Sequence, residues 1–286
     1  MPIENALTVD VEDYFHVAAL AENIKPEDWP AIPCRAENNT RRLLDLFDKY
    51  QTKATFFVLG WLAGRMPGIV SEIADRGHEI ACHGYSHQLV YDQTQDVFRD
   101  ETFKSKAMLE DIIQAPVLGY RAASYSITKR SLWALDVLAE AGFIYDSSIF
   151  PVRHDRYGIP DAKEHPHHLQ TPSGSQLVEF PLSTANYFGY RLPVAGGGYF
   201  RIYPYALTRA GLSQINRNNR PFIFYLHPWE VDPGQPRVPA RWLSRFRHYH
   251  NLDKCEARLE RLLQDFSFTT VSHVLQNLDL IDPGVA

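Results

Sequence analysis

Cysteine is scarce in this chain, and so is any long apolar run. Its three cysteines, Cys34, Cys82 and Cys255, are an odd number at wide, irregular spacing among 286 residues. No disulfide framework and no CxxC metal clip can be read from them. Cys82 lies in the apolar run EIAC and is expected as a small core residue. No apolar stretch approaches the roughly 18 residues that span a bilayer. The opening MPIENALTVDVEDYF has no basic region followed by an apolar one. The expectation is a chain with no signal peptide and no integral membrane segment, resident in the cytoplasm. Positive charge is not in excess either: 29 basic against 34 acidic residues leave a net −5. That balance argues against nucleic acid and against a membrane-binding basic patch.

What is present is an ordinary globular composition, 45% hydrophobic and 22% charged, in a chain long enough to hold a core without disulfides. Short apolar runs read as buried strands at 6–11, 54–59, 78–82, 143–145, 177–181 and 222–226. Segments with helical spacing stand between several of them, at 40–50, 69–76, 98–113 and 129–141; Gly77 and Gly142 follow two of them as C-caps. Alternation of strand and helix predicts a mostly parallel sheet covered by helices. No glycine-rich dinucleotide fingerprint follows the first strand, which weakens an open Rossmann sheet. The expected fold is α/β: a distorted, incomplete (β/α) barrel of about seven strands in a single domain. The pattern fails across 151–199, expected as an inserted, loop-rich segment forming a lid or groove wall. From about 240 to 286 a helical extension is expected to pack on the barrel, with 254–266 amphipathic through Leu259, Leu262 and Leu263.

Four places carry candidate chemistry. His83 and His87, four residues apart after the strand HEIAC, can converge on one cation. Asp10, Glu12 and Asp13 crowd the carboxyl end of the first strand and offer a base and a metal ligand. His227 closes the strand FIFYL, is followed by Pro228 and Trp229, and suits a general acid because its free pKa is near neutrality. Arg121, among small residues in GYRAAS, reads as a fixed cation able to clamp a carboxylate. Each signal alone is modest. All four fall at or just beyond predicted strand carboxyl ends, which a barrel gathers at one mouth.

At these residues the chain resembles the polysaccharide deacetylase family (carbohydrate esterase family four). The runs LTVDVEDYFHV, KATFFVLGW, GHEIACHGYSH, GYRAASYSIT, YDSSIFP, VAGGGYFR and FYLHPWE resemble one subgroup, the deacetylases of bacterial exopolysaccharide and exosortase (PEP-CTERM) loci. The resemblance implies that Asp10 is the general base, that His83 and His87 are metal ligands, and that an acid just after the base completes the set. Val11 occupies the family's usual position for that acid, leaving Glu12 or Asp13. Arg121 would pair with Asp10, and His227 would protonate the departing amine. A backbone N–H near Ser124 and Tyr125 would face the oxyanion, and Asp146 or Glu179 would orient His227.

The implied cofactor is a divalent metal, Zn²⁺ first, with Co²⁺ or Ni²⁺ fitting the same ligands. The implied reaction removes N-acetyl groups from N-acetylhexosamine units of an exopolysaccharide or its precursor. Tyr14, Tyr199 and Trp229 are candidate sugar-stacking residues, with Tyr125 and Asp146 also placed at the substrate. The partner is an acetylated amino-sugar polymer or oligosaccharide. Two competing readings are a related barrel hydrolase of cyclic amides or small acetamides, and a non-catalytic glycan-binding homologue.

Overall fold

The computed structural model describes residues 3–154 and 156–285. Its strands are β1 (Glu4–Val11), β2 (Thr55–Val58), β3 (Glu79–Cys82), β4 (Gly119–Tyr120), β5 (Tyr145–Asp146), β6 (His167–Gln170), β7 (Gln176–Glu179), β8 (Thr184–Tyr187), β9 (Tyr190–Pro193), β10 (Ile223–Leu226) and β11 (Ser267–Thr269). The helices are α1 (Ala36–Lys49), α2 (Gly60–Arg65), α3 (Pro67–Asp75), α4 (Gln95–Ile113), α5 (Ala134–Glu140), α6 (Gly197–Ile202), α7 (Tyr205–Arg217), α8 (Trp242–Tyr249), α9 (Leu252–Asp265) and α10 (Val271–Asn277). Among the described residues no helix is long and apolar enough to cross a membrane.

Seven strands run parallel in the order β10-β1-β2-β3-β4-β5-β7. That is the expected incomplete barrel: β6 caps the β7 edge antiparallel, and β8–β9 form a separate hairpin. The two-residue period of a strand explains how the barrel is filled. Along β1, Leu7, Val9 and Val11 face outward onto the helices, while Ala6 joins the inner cluster of Phe57, Ala81, Tyr145, Val178, Ile223 and Tyr225. Val271, Val274 and Leu275 of α10 extend this inner cluster, and β11 pairs with the first half of β1. The end at the strands' amino termini is therefore plugged, which leaves their carboxyl ends as the open mouth.

Helix α1 buries Leu43, Leu44 and Phe47 as their spacing requires; Leu43→Ala would cost about 2–5 kcal/mol. It starts four residues earlier than the apolar pattern suggests, because a distant carboxylate supplies its cap. Asp13 accepts the backbone N–H groups of Arg35 and Ala36, at 2.5 and 2.7 Å. Helix α5 is shorter than expected, since 129–133 lie outside it and only Ala134–Glu140 are helical. The segment 151–199 holds four short strands where one or two are expected, and one of them, β7, belongs to the barrel wall.

Candidate active site

Asp10 ends the inner-facing row of β1, two residues beyond Thr8, so both point into the barrel. Arg121 follows β4 and reaches across to both, with Nη1 donating to Asp10 Oδ1 at 2.6 Å and to Thr8 Oγ1 at 2.8 Å. Its other nitrogens bond the Ser147 carbonyl and hydroxyl, and its guanidinium lies 4.0 Å over the Phe57 ring. Arg121 has no solvent exposure. Removing one partner of so buried a pair leaves an uncompensated charge, at a cost of about 3–5 kcal/mol. Asp10 is thus clamped through one oxygen, and the second faces the Tyr125 hydroxyl at 3.4 Å.

The metal-type cluster lies beside it. Ligand atoms of Glu12, His83 and His87 fall within 4.8 Å of one another. His83 Nδ1 donates to the Arg121 carbonyl at 2.8 Å, which leaves Nε2 with its lone pair free for a cation. Burial lowers the His83 pKa to about 4, so the ring is neutral near pH 7. Glu12 Oε2 lies 2.8 Å from His87 Nε2 yet is a buried oxygen without a hydrogen-bonding partner. Burial works to raise the Glu12 carboxyl, but His87, His227 and His83 together hold it far below the usual range. An ionised carboxylate and two imidazoles converging on one point are the donor set of a three-ligand divalent site, and these residues fit one.

The adjacent acid has another task. Asp13 accepts from the backbone of Tyr14, Arg35 and Ala36 and from the Cys34 thiol, so its oxygens are spent fixing the start of α1. Of the two carboxylates left open by the sequence, Glu12 lies in the cluster and Asp13 does not.

His227 stands just past β10, the neighbour of β1, where it lines one cavity of about 190 Å³ with Asp10, Glu12, His83 and His87. Its Nε2 lies 3.1 Å from Glu12 and 3.9 Å from Asp10. The acid that orients it is neither Asp146 nor Glu179 but Glu230, which takes Nδ1 at 3.0 Å. Glu230 in turn accepts Arg201 Nε at 2.6 Å, both residues being almost fully buried. Burial works to lower the His227 pKa, but Glu12, Glu230 and Asp10 outweigh it and raise the value to about 9. The sequence signal for Glu230 was its place three residues after His227 across a proline turn, a capping-box spacing that turns an acid back onto its own cap residue. Arg201 had no comparable local signal. It reaches the site because Gly196 and Gly197 let the chain press against β10: a Cβ on Gly196 would sit 1.9 Å from the Tyr225 carbonyl.

Several expected substrate contacts lie elsewhere. Asp146 is fully buried, bonded by Ser148 Oγ at 2.5 Å and paired with Glu179, and it does not line the cavity. Tyr14 is buried edge-on against Phe15 in an aromatic cluster with Trp29. Trp229 does line the cavity, but its ring is stacked between His227 and His248, at 5.0 and 4.3 Å, so no face is free for a sugar. Tyr199 lies in a neighbouring cavity and bonds Tyr157, which lines the catalytic one. Ser124 and Tyr125 do line it, both with left-handed backbones (φ 51 and 55). The Tyr125 N–H already donates to the Ala122 carbonyl at 3.0 Å.

Residues 27–144 match the polysaccharide deacetylase family model, and 147–276 match a domain of unknown function (DUF3473). A peptidoglycan deacetylase of Helicobacter pylori is 32% identical over 124 residues, 43% of this chain and 41% of that protein. A peptidoglycan-N-acetylglucosamine deacetylase of Bacillus cereus is 39% identical over 70 residues, 24% of this chain and 26% of that one. The chain thus spans well under half the length of these curated relatives. In fold it is similar to a candidate polysaccharide deacetylase from Mycobacterium smegmatis, with TM-score 0.63 and 21% identity over 98% of this chain and 92% of that one. It is also similar to the peptidoglycan deacetylase PdaC from Bacillus subtilis, with TM-score 0.52 and 13% identity over 97% and 92%. Residues 27–144 are thus similar to polysaccharide deacetylases, and residues 147–276 to a domain of unknown function.

Proposed function

We propose that the protein is a metal-dependent hydrolase that removes acetyl groups from N-acetylhexosamine units of a bacterial exopolysaccharide or its precursor. The observation that carries this reading is the placement of Asp10 and His227 in one cavity with the Glu12–His83–His87 cluster. A base and an acid beside a three-ligand site suit hydrolysis of an unactivated amide without a serine or cysteine nucleophile. The names of the relatives support an acetamido sugar as substrate, and the motif runs quoted above support the exopolysaccharide subgroup.

Glu12, His83 and His87 would hold the cation. When bound, it supplies Lewis-acid polarisation of the amide and brings the pKa of water to about 7, with Zn²⁺ the first choice. Asp10, held by Arg121 through Oδ1, takes a proton at Oδ2 from the water that attacks the acetyl carbon. His227 donates its Nε2 proton to the amide nitrogen as the carbon–nitrogen bond breaks, giving acetate and a free amine. Glu230 keeps His227 charged and its ring aimed, and Arg201 keeps Glu230 ionised: burial works to raise the Glu230 carboxyl, but Arg201 and His227 lower it to about 2. The test is acetate release from N-acetylglucosamine oligomers by the metal-loaded protein and by Asp10→Asn. Loss of a positioned base should cost about 10²–10⁴-fold. A metal-loaded wild type that releases no acetate from any acetamido sugar would refute the substrate assignment.

A further inference from the structure

The whole-chain charge of −5 conceals a strongly basic stretch. Residues 233–252 contain Arg237, Arg241, Arg245 and Arg247 and no aspartate or glutamate. Without those four, twenty-five basic residues face thirty-four acidic ones. The stretch is built around α8, whose inner side is fixed to the catalytic machinery. His248 is buried on the Trp229 ring, and Arg201 bonds the carbonyls of Arg247, His248 and His250 at 2.9–3.0 Å. Its outer side is apolar and bare: Trp242 is 77% exposed, Leu243 49% and Phe246 38%. Trp242 and Phe246 stack with centroids 5.9 Å apart, forming one ridge. Arg237, Arg241, Arg245 and Arg247 are all exposed around it. Among the described residues Arg237, Arg245 and Arg247 meet no carboxylate, and Arg241 reaches only the exposed Glu22, at 3.4 Å.

A second bare projection flanks the same mouth. The β8–β9 hairpin holds Phe188 fully exposed in its turn and Tyr190 79% exposed at the start of β9. Tyr190 borders the cavity of Tyr199, whose hydroxyl bonds Tyr157 on the catalytic rim. Arg247 and His248 of α8 line that rim directly. Two elements beside the mouth thus carry five of the eight large hydrophobic side chains that are exposed among the described residues.

We propose that α8, with its flanking arginines, docks on an anionic phospholipid surface and holds the catalytic mouth against the bilayer. Tryptophan, leucine and phenylalanine beside arginine are the composition of an interfacial helix, where rings settle at headgroup depth and guanidinium groups pair with phosphate. Short helices bind membranes poorly when they must first form. Here the fold supplies the helix already made, through Arg201 and His248. Charge complementarity selects an anionic surface: the four arginines attract it, and among the described residues Glu22 is the one carboxylate that meets them.

The docking can be tested without turnover, so its failure and that of the deacetylase reading are separable. Full-length protein is cosedimented with vesicles of phosphatidylglycerol and phosphatidylcholine in equal parts, and with phosphatidylcholine alone. Binding should be at least about tenfold stronger to the anionic vesicles and should weaken with salt. Arg241→Ala with Arg245→Ala should lose about fivefold per arginine, and Trp242→Ser with Phe246→Ser about tenfold or more. The fold control is an unchanged melting temperature in both double variants. Equal binding to both vesicle types, no binding, or unchanged binding by the variants overturns the proposal. So does a light-scattering mass twice that of the chain that returns to one chain in Trp242→Ser with Phe246→Ser, because a second copy would then occupy this face.

Discussion

Two groups of carboxylates are buried in this barrel, and their surroundings drive them in opposite directions. Asp10, Glu12 and Glu230 each have a cation or imidazole within hydrogen-bond reach: Arg121, His87 and Arg201. Glu12 and Glu230 are driven below the usual carboxylate range despite complete burial. Asp146 and Glu179 have each other. Burial pushes Asp146 up to about 6, and burial together with the Asp146 charge pushes Glu179 well above the ordinary value. Asp146 Oδ2 and Glu179 Oε2 have no other hydrogen-bonding partner, and a proton held by Glu179 and shared with Asp146 satisfies both. Burial does not by itself decide the state of an acid; the nearest partner does. The charged group is fit for catalysis, and the proton-sharing pair is fit to brace the strand ends behind Arg121 through Ser147 and Ser148.

The largest effects should follow from emptying the charged group. His83→Ala should remove metal and take the acetate-release rate with it, by about 10³-fold or more. Glu230→Gln should cost about tenfold or more in kcat while leaving metal content intact. It should also move a pH limb. As the proposed acid His227 donates only when protonated, and its contact with Glu230 raises its pKa, so activity should fall on the basic side as His227 loses its proton. Without the Glu230 charge the pKa falls, and the basic limb of kcat should shift to lower pH.

The paired acids should answer in stability. Their folded-state pKa values are raised, so their contribution is fully present below the unfolded carboxylate value, near 4. It is lost as pH rises through about 6 and beyond. Wild-type Tm should therefore decline by a few degrees across that window, and Asp146→Asn should flatten the decline. An Asp146→Asn profile as steep as wild type would break the contrast. Asp13→Ala should have the smallest effect on catalysis: about 1 kcal/mol of stability from the lost cap of α1, with metal content unchanged.

Much of this was legible in the sequence, for reasons that name its limits. The strands β1, β2, β3 and β10 are continuous apolar runs, so their positions and the residues at or just beyond their carboxyl ends (Asp10, His83 and His227) could be read in advance. Strands β4 and β5 are two residues long and exist only because neighbours pair with them, so the apolar pattern marked β4 not at all and placed β5 two residues early. Glu12 and Asp13 could not be told apart by composition. What separates them is the loop at Cys34–Ala36, twenty residues away, which returns its N–H groups to Asp13. Asp146 and Glu179 were candidates for orienting His227 because they are acids near the right strand ends, but spacing does not reveal that two acids consume each other. The basic face of α8 vanished in the whole-chain charge, since a net of −5 says nothing about where four arginines gather.

In the proposed site Glu12, not its neighbour Asp13, completes a metal centre with His83 and His87. Metal stoichiometry of purified wild type, Glu12→Ala and Asp13→Ala, measured alongside Tm, tests it directly. Glu12→Ala is expected to lose its divalent cation while Asp13→Ala retains the wild-type amount at a lowered Tm; full metal in Glu12→Ala with loss in Asp13→Ala would overturn the assignment.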